Sequence, residues 1–166
     1  MTAQQYERWT KKIRESRYGV EFLRRTVKGI TGVAAASYVL LLFVFLLRQQ
    51  WEALYQSILV PGVSFAAVSV FRNCSSYRRP YEELDIEPLL HKETRGKSFP
   101  SRHVFSIAII ATTFFRVNGA MGAALWALTF LLAALRVLGG VHYVRDVAAG
   151  AAMGALCGVI GYYVIF

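Results

Sequence analysis

An all-helical, membrane-embedded bundle is the fold this chain of 166 residues predicts, with about five transmembrane helices behind an N-terminal amphipathic helix at the interface. Three observations lead there. Hydrophobic residues make up 55% of the sequence, and the mean hydropathy is +0.40. Uncharged apolar runs recur at lengths that suit the roughly 30 Å hydrocarbon layer of a bilayer. The charges, which sum to +9, gather in the segments between those runs.

Two parts are expected, a basic amphipathic segment over residues 1–28 and a membrane domain over residues 29–166. The first carries eight Lys and Arg against three Glu, with Trp9 and Ile13 one helical turn apart. That pattern suits a helix lying on a membrane surface. Residues 29–47 form the first span; their length exceeds a signal-peptide core, and no small-residue cleavage site follows. Residues 54–71 form the second span, with Pro61 inside it as a kink. A long polar segment over residues 72–102 separates it from a third apolar run, 101–115, whose helix starts with Ser101 as N-cap. About 15 residues rise only about 22 Å, short for a full crossing, so its first turn belongs to the interface. Residues 119–138 and 146–166 are the last two spans. In the final one, Gly150, Gly154 and Gly158 recur every four residues and let a neighbouring helix approach closely.

Five crossings put the N-terminal segment, the 72–102 loop and the 136–146 turn on one face, with seventeen of the nineteen Lys and Arg. In a soluble chain such a basic balance would raise the question of nucleic acid. Here it fits anionic lipid headgroups and a phosphate-bearing membrane lipid, and no nucleic acid is expected. Cys74 and Cys157 fall at different depths and carry no metal-ligand spacing, so neither a disulfide nor a metal site is expected.

Three polar segments on that face carry the chemistry. Residues 72–80 place Arg72 and Arg79 seven apart, with Pro80 closing the run. Residues 100–103 read Pro-Ser-Arg-His. Residues 136–146 hold Arg136, His142 and Asp146 at spacings of six and four. Gly139 and Gly140 stop the helix before them, and a new helix from His142 would put Asp146 one turn on, on the same face. On its own a His–Asp pair at that spacing is most often a surface hydrogen bond. Together with convergent arginines, whose planar forks match phosphate oxygens, it suits a phosphoryl site. A carboxylate can hold one imidazole nitrogen and leave the other free to attack, while a second histidine, His103, protonates the leaving oxygen. Ser101 and the free N–H groups of its helix add an anion site. No acidic cluster of the magnesium-binding kind accompanies them, which favours a mechanism without a cofactor.

The three segments resemble the three-part signature of the type 2 phosphatidic acid phosphatase superfamily, which includes acid phosphatases and vanadium haloperoxidases: Lys-x6-Arg-Pro, Pro-Ser-Gly-His and Ser-Arg-x5-His-x3-Asp. Order and spacing match across roughly residues 55–166. Three positions depart from it: Arg72 stands for the lysine, Arg102 for the glycine and Leu135 for the serine. The resemblance implies that His142 is the nucleophile forming a phosphohistidine, that Asp146 orients it and that His103 is the general acid. Arg72, Arg79, Ser101 and Arg136 would hold the phosphate. Arg102, Lys97 and Arg78 are candidates for headgroup contact. His91 and Asp85 lie in the loop outside every motif, and Tyr143 and Trp126 read as interface or packing aromatics.

The function expected is therefore that of an integral-membrane, metal-independent lipid phosphate phosphatase. Phosphatidylglycerophosphate, phosphatidate and polyprenyl diphosphates are all open as substrates. The alternative is a non-catalytic lipid-phosphate-binding or transport protein, against which stands the near absence of polar residues at mid-membrane. A vanadate-dependent peroxidase is disfavoured by the missing soluble scaffold. The positive-inside rule puts the basic face in the cytoplasm; relatives that work on the outer face keep the extracytoplasmic alternative open.

Overall fold

A computed structural model describes residues 2–84, 86–90 and 95–166; Asp85 and His91 lie outside the described residues. The described chain is helical, with no strand among the described residues: α1 (Ala3–Glu15), α2 (Gly19–Leu47), α3 (Trp51–Cys74), a single turn α4 (Pro80–Glu83), α5 (Arg102–Phe115), α6 (Gly119–Leu138) and α7 (Val144–Ile160), which runs on into a π-helical turn, Gly161–Ile165. Four of these segments are long and apolar enough to cross a membrane: α2, α3, α6, and α7 with its π turn. The protein is an integral membrane protein.

The shortest of the apolar helices is the central one. α5 packs chiefly against α6 and α7, and Val104, Phe105, Ile107, Ala108 and Ile109 are all but fully buried. A helix surrounded by protein has no lipid thickness to match, so its 14 residues suffice. The glycine spacing on α7 is what brings it close. A Cβ at Gly150 would stand 2.7 Å from the Ser101 carbonyl oxygen, one at Gly154 2.6 Å from Ala108 Cβ, and one at Gly158 2.6 Å from Thr112 Cγ2.

At the N-terminus, the Thr2 hydroxyl accepts from the Gln5 N–H at 3.3 Å while the Gln5 side chain accepts from the Thr2 N–H at 3.1 Å, a reciprocal cap that starts α1. The buried positions of this helix are Tyr6 and Thr10, whereas Trp9 is half exposed. Tyr6 is packed under the polar segment: its hydroxyl accepts from the Leu89 N–H at 3.1 Å. α2 begins at Gly19, ahead of the apolar run that starts at residue 29, because the amphipathic turns before that run continue the same helix.

α6 ends as its glycine pair predicts. Gly140 takes φ +73°; its N–H donates to Val137 O at 3.0 Å and the Val141 N–H to Arg136 O at 3.4 Å, the two bonds of a left-handed helix stop. A side chain at Gly140 would also meet the Tyr6 hydroxyl at 2.7 Å. The turn at 139–143 is thus clamped from outside by α1.

Candidate active site

The three polar segments meet at the membrane face where α3, α5 and α7 begin or end. Arg72 closes α3, is 5% exposed, and donates from Nη1 to the Pro100 carbonyl at 3.0 Å. The chain then runs extended to Arg79, which is fully buried. Its guanidinium donates to Gly96 O at 3.1 Å, to Lys97 O at 3.4 Å and to Val141 O at 2.9 Å, so one side chain ties the first segment to the third and to the loop ahead of the second. Glu82 completes that knot by accepting from the Arg79 N–H at 2.7 Å and the Gly96 N–H at 2.8 Å. The start of α5 is held to α7 directly, the Ser101 N–H donating to the Asp146 carbonyl at 2.9 Å.

His142 precedes α7 rather than starting it. Tyr143 is the N-cap, and Asp146, three residues on, accepts the Tyr143 N–H on Oδ2 at 3.0 Å. The same oxygen lies 3.6 Å from His142 Nδ1. His–Asp proximity thus comes from the carboxylate reaching back over the helix start, not from two residues on one helical face. Both side chains are fully buried. Burial pushes the His142 imidazole down to about 4; the Asp146 carboxylate pulls the other way, and the Arg136 and Arg79 cations add to the depression. At neutral pH the ring is uncharged.

A set of buried polar atoms in this cluster has no hydrogen-bond partner among the described residues: Arg136 Nε and Nη2, Ser101 Oγ, His142 Nε2 and Asp146 Oδ1. Ser101 occupies the N-cap of α5 as its sequence suggests, yet its hydroxyl caps nothing. Unpaired groups of this kind cost stability, a buried cation most of all, and are retained where a ligand supplies the missing partner. Two guanidinium donor atoms, a hydroxyl and an imidazole nitrogen with its lone pair free make a cradle for a tetrahedral oxyanion.

Residues 62–166 match the family model of the PAP2 superfamily. The chain belongs to the PAP2 superfamily. As a PAP2 protein it is a phosphatase, a phosphoric ester hydrolase. Among solved structures it is similar to Aquifex aeolicus LpxE, at 23% identity over 96% of this chain and 93% of that one, with a TM-score of 0.73. It is also similar to the first transmembrane PAP2-type phosphatidylglycerolphosphate phosphatase from Bacillus subtilis, at 25% identity over 95% of this chain and 83% of that one, with a TM-score of 0.66. No curated protein matches the sequence.

The PAP2 motif residues separate into an interior and a rim. Arg72, Arg79, Ser101, Arg136, His142 and Asp146 are all buried; His103 is half-buried in the first turn of α5. Arg78, Lys97 and Arg102 are exposed. Lys97 turns to Asn73, donating to Oδ1 at 3.3 Å, whereas the charge of Arg102 acts on both Arg72 and Arg79. Arg145 joins this rim without having been marked by any motif. It lies over the rings of Tyr77 and Tyr143, 5.5 and 5.0 Å from their centroids, and its Nε is 3.6 Å from Asp146 Oδ1. Tyr143 is more than a packing aromatic: its hydroxyl donates to Glu83 at 2.6 Å, latching α4 to the His142 turn.

One interior residue is invisible to the motif reading. Ser98 is fully buried; its hydroxyl donates to Asp146 Oδ2 at 2.5 Å and stands 3.4 Å from His142 Nδ1. Its backbone N–H is fixed on the Tyr77 carbonyl at 2.9 Å. The only hint in the sequence is its place three residues before Ser101, in a loop whose path no local pattern reveals.

Proposed function

We propose that this phosphatase hydrolyses a lipid phosphate at the bilayer surface through a phosphohistidine on His142. What carries the reading is the unpartnered set at the centre of the site, in which neutral His142 Nε2 shares a buried cluster with the free donors of Arg136 and Ser101. In the first step Nε2 attacks phosphorus and the bond from phosphorus to the lipid oxygen breaks. His103 gives that oxygen its proton, releasing the lipid alcohol from a phosphomonoester. In the second step His103 takes a proton from water, whose oxygen attacks phosphorus, breaking the P–N bond and freeing phosphate and neutral His142. Asp146 accepts the Nδ1 proton side of the ring throughout and stabilises the imidazolium character that develops. Arg72, Arg79 and Arg136 balance the charge on the transferring group.

The substrate class rests on where the site lies, at the interface end of membrane helices. Phosphatidylglycerophosphate is the first choice, supported by the similarity to the Bacillus subtilis phosphatidylglycerolphosphate phosphatase; phosphatidate and polyprenyl diphosphates follow. The exposed cations Arg78, Lys97, Arg102 and Arg145 offer contacts to an anionic headgroup at the rim. The basic face reads as cytoplasmic.

The deciding experiment is phosphate release by purified protein in detergent with EDTA, from the three lipids side by side. Activity that survives chelation, a base-stable and acid-labile phosphoenzyme, and a loss of at least about 10³-fold in His142→Ala are expected. Release that requires added metal, or that persists in His142→Ala, would overturn the mechanism. Cys74, exposed at the end of α3, reports the face: an impermeant thiol reagent should miss it in intact cells and reach it in inverted vesicles.

A further inference from the structure

Arg102 stands where the family signature has glycine, and the chain just before it is fixed to the site. The Pro100 carbonyl accepts from the Arg72 guanidinium at 3.0 Å, and the Ser101 N–H donates to the Asp146 carbonyl at 2.9 Å. Arg102 is then the first residue of α5. It lies between Ser101, whose buried hydroxyl is unpartnered in the phosphate cluster, and His103. The residue is exposed, so its charge stands at the mouth of the site rather than within it.

A cation is poorly placed there. The start of a helix favours anions, and α5 has no acidic residue in its first turn to answer Arg102. Its charge acts instead on Arg72 and Arg79, which are cations themselves. Arg102 has no hydrogen bond or ion pair among the described residues. On the same rim, Lys97 is engaged by Asn73, and Arg145 by two tyrosine rings and Asp146. An anion at the mouth of the site would answer both the helix start and the guanidinium.

We propose that Arg102 binds a second phosphate, carried by the leaving group, so that the substrate is a lipid with two phosphates rather than one. The two are joined directly, as in a prenyl diphosphate, or through a short polyol, as in phosphatidylglycerophosphate; phosphatidate has only one. This inference rests on the lipid phosphatase reading above. The transferred phosphate is met inside by Arg72, Arg136 and Ser101, so it leaves Arg102 unused. His103 serves the leaving oxygen, so the leaving group runs along the first turn of α5, which Arg102 begins. The bond that breaks is unchanged: phosphorus passes to His142 Nε2, and the second phosphate departs with the lipid. Arg102 neither gives nor takes a proton. It anchors the leaving group and balances its charge.

Two chain-matched pairs test it: dioleoyl phosphatidylglycerophosphate against dioleoyl phosphatidate, and farnesyl diphosphate against farnesyl monophosphate. The wild type should favour the two-phosphate member of at least one pair by about tenfold or more in kcat/KM. The pair that responds tells a polyol bridge from a direct diphosphate. Arg102→Gln should lower the favoured substrate by about tenfold and leave the one-phosphate substrates within about twofold, which also shows that the variant folds. Arg102→Lys, which keeps the charge, should retain part of the preference. Lys12→Gln, which removes an exposed charge from α1, should change no ratio. No preference in the wild type, a preference that survives Arg102→Gln, or equal losses on one- and two-phosphate substrates would overturn the proposal. A second readout needs no turnover. In His142→Ala, calorimetry should find inorganic pyrophosphate or glycerol bisphosphate bound about tenfold more tightly than inorganic phosphate, with the advantage lost on adding Arg102→Gln. If neither binds more tightly than phosphate, the second site falls. If the wild-type enzyme releases phosphate from no lipid while an advantage that depends on Arg102 persists, the phosphatase reading fails and the second phosphate site stands.

Discussion

Two halves of the site face each other and are satisfied to opposite degrees. On the side of α3 and α4, Arg79 is buried with its guanidinium on three backbone carbonyls, and Glu82 fixes the backbone beside it. On the side of α6 and α7, Arg136 is just as deeply placed, yet its Nε and Nη2 bond to nothing among the described residues, and Ser101 Oγ and His142 Nε2 share that condition. Both arginines belong to the same family signature. The first works mainly as a fastener that holds three segments in register. The second keeps two guanidinium nitrogens unpaired inside the protein, as suits a group that a bound anion completes.

That contrast breaks most sharply in the paired variants Arg136→Met and Arg79→Met. Removing Arg136 should cost about 10²–10³ in turnover while leaving the melting temperature unchanged or higher, because an unpaired buried charge is gone. Removing Arg79 should lower turnover too, but with a loss of about 3 kcal/mol of stability, roughly one for each carbonyl left without a donor. Equal melting temperatures in the two variants would dissolve the distinction.

The pH dependence of stability tests the unpaired half next. His142 is held neutral at a value near 4, below the ordinary 6.5, so as pH falls the unfolded chain takes up its proton first. The stability associated with the neutral ring is complete above pH 6.5 and drains as pH drops towards 4, by about 3 kcal/mol in all. Thermal melts at pH 7 and pH 4.5 should therefore diverge more for the wild type than for His142→Gln, which has no proton to gain. Parallel shifts would mean that the ring is not buried uncharged.

The smallest expected effect sharpens the picture of how His142 is aimed. Ser98→Ala should lower kcat by about 10–100-fold with KM for the lipid unchanged, as loss of a positioning hydrogen bond does. Ser98→Thr, which keeps the hydroxyl, should recover most of it. A change confined to KM, or a loss that threonine does not rescue, would make Ser98 a packing residue only.

How much of this could be read from the residues differs element by element. The spans were legible because apolar content is a local property, and Arg72, Arg79, Ser101, His103, Arg136, His142 and Asp146 were legible because their spacings sit in short runs. The N-terminal helix was expected as an amphipathic one from Trp9 and Ile13; that Tyr6 and Thr10 are its buried positions depends on Leu89, the partner of Tyr6 eighty-three residues away. A helix starting near His142 was expected to put Asp146 on the same face; the helix starts at Val144, and Asp146 caps Tyr143 and leaves the histidine just outside. Ser98 carries no motif at all, and Arg145 and the Tyr143–Glu83 latch become meaningful only once the 72–84 segment folds over the 142–146 turn.

The sequence by itself determined that the chain is helical, that it crosses a membrane, and which arginine, serine, histidine and aspartate residues belong to the three polar segments. Hydropathy, helix stops and motif spacing act over a few residues and do not need the rest of the fold. Only the tertiary structure decided which of those residues are fasteners and which keep unpaired atoms, and that the hydroxyl of Ser98 sits against Asp146 and His142. Hydrogen-bond satisfaction and packing are settled between segments far apart in the chain, so no local pattern can encode them.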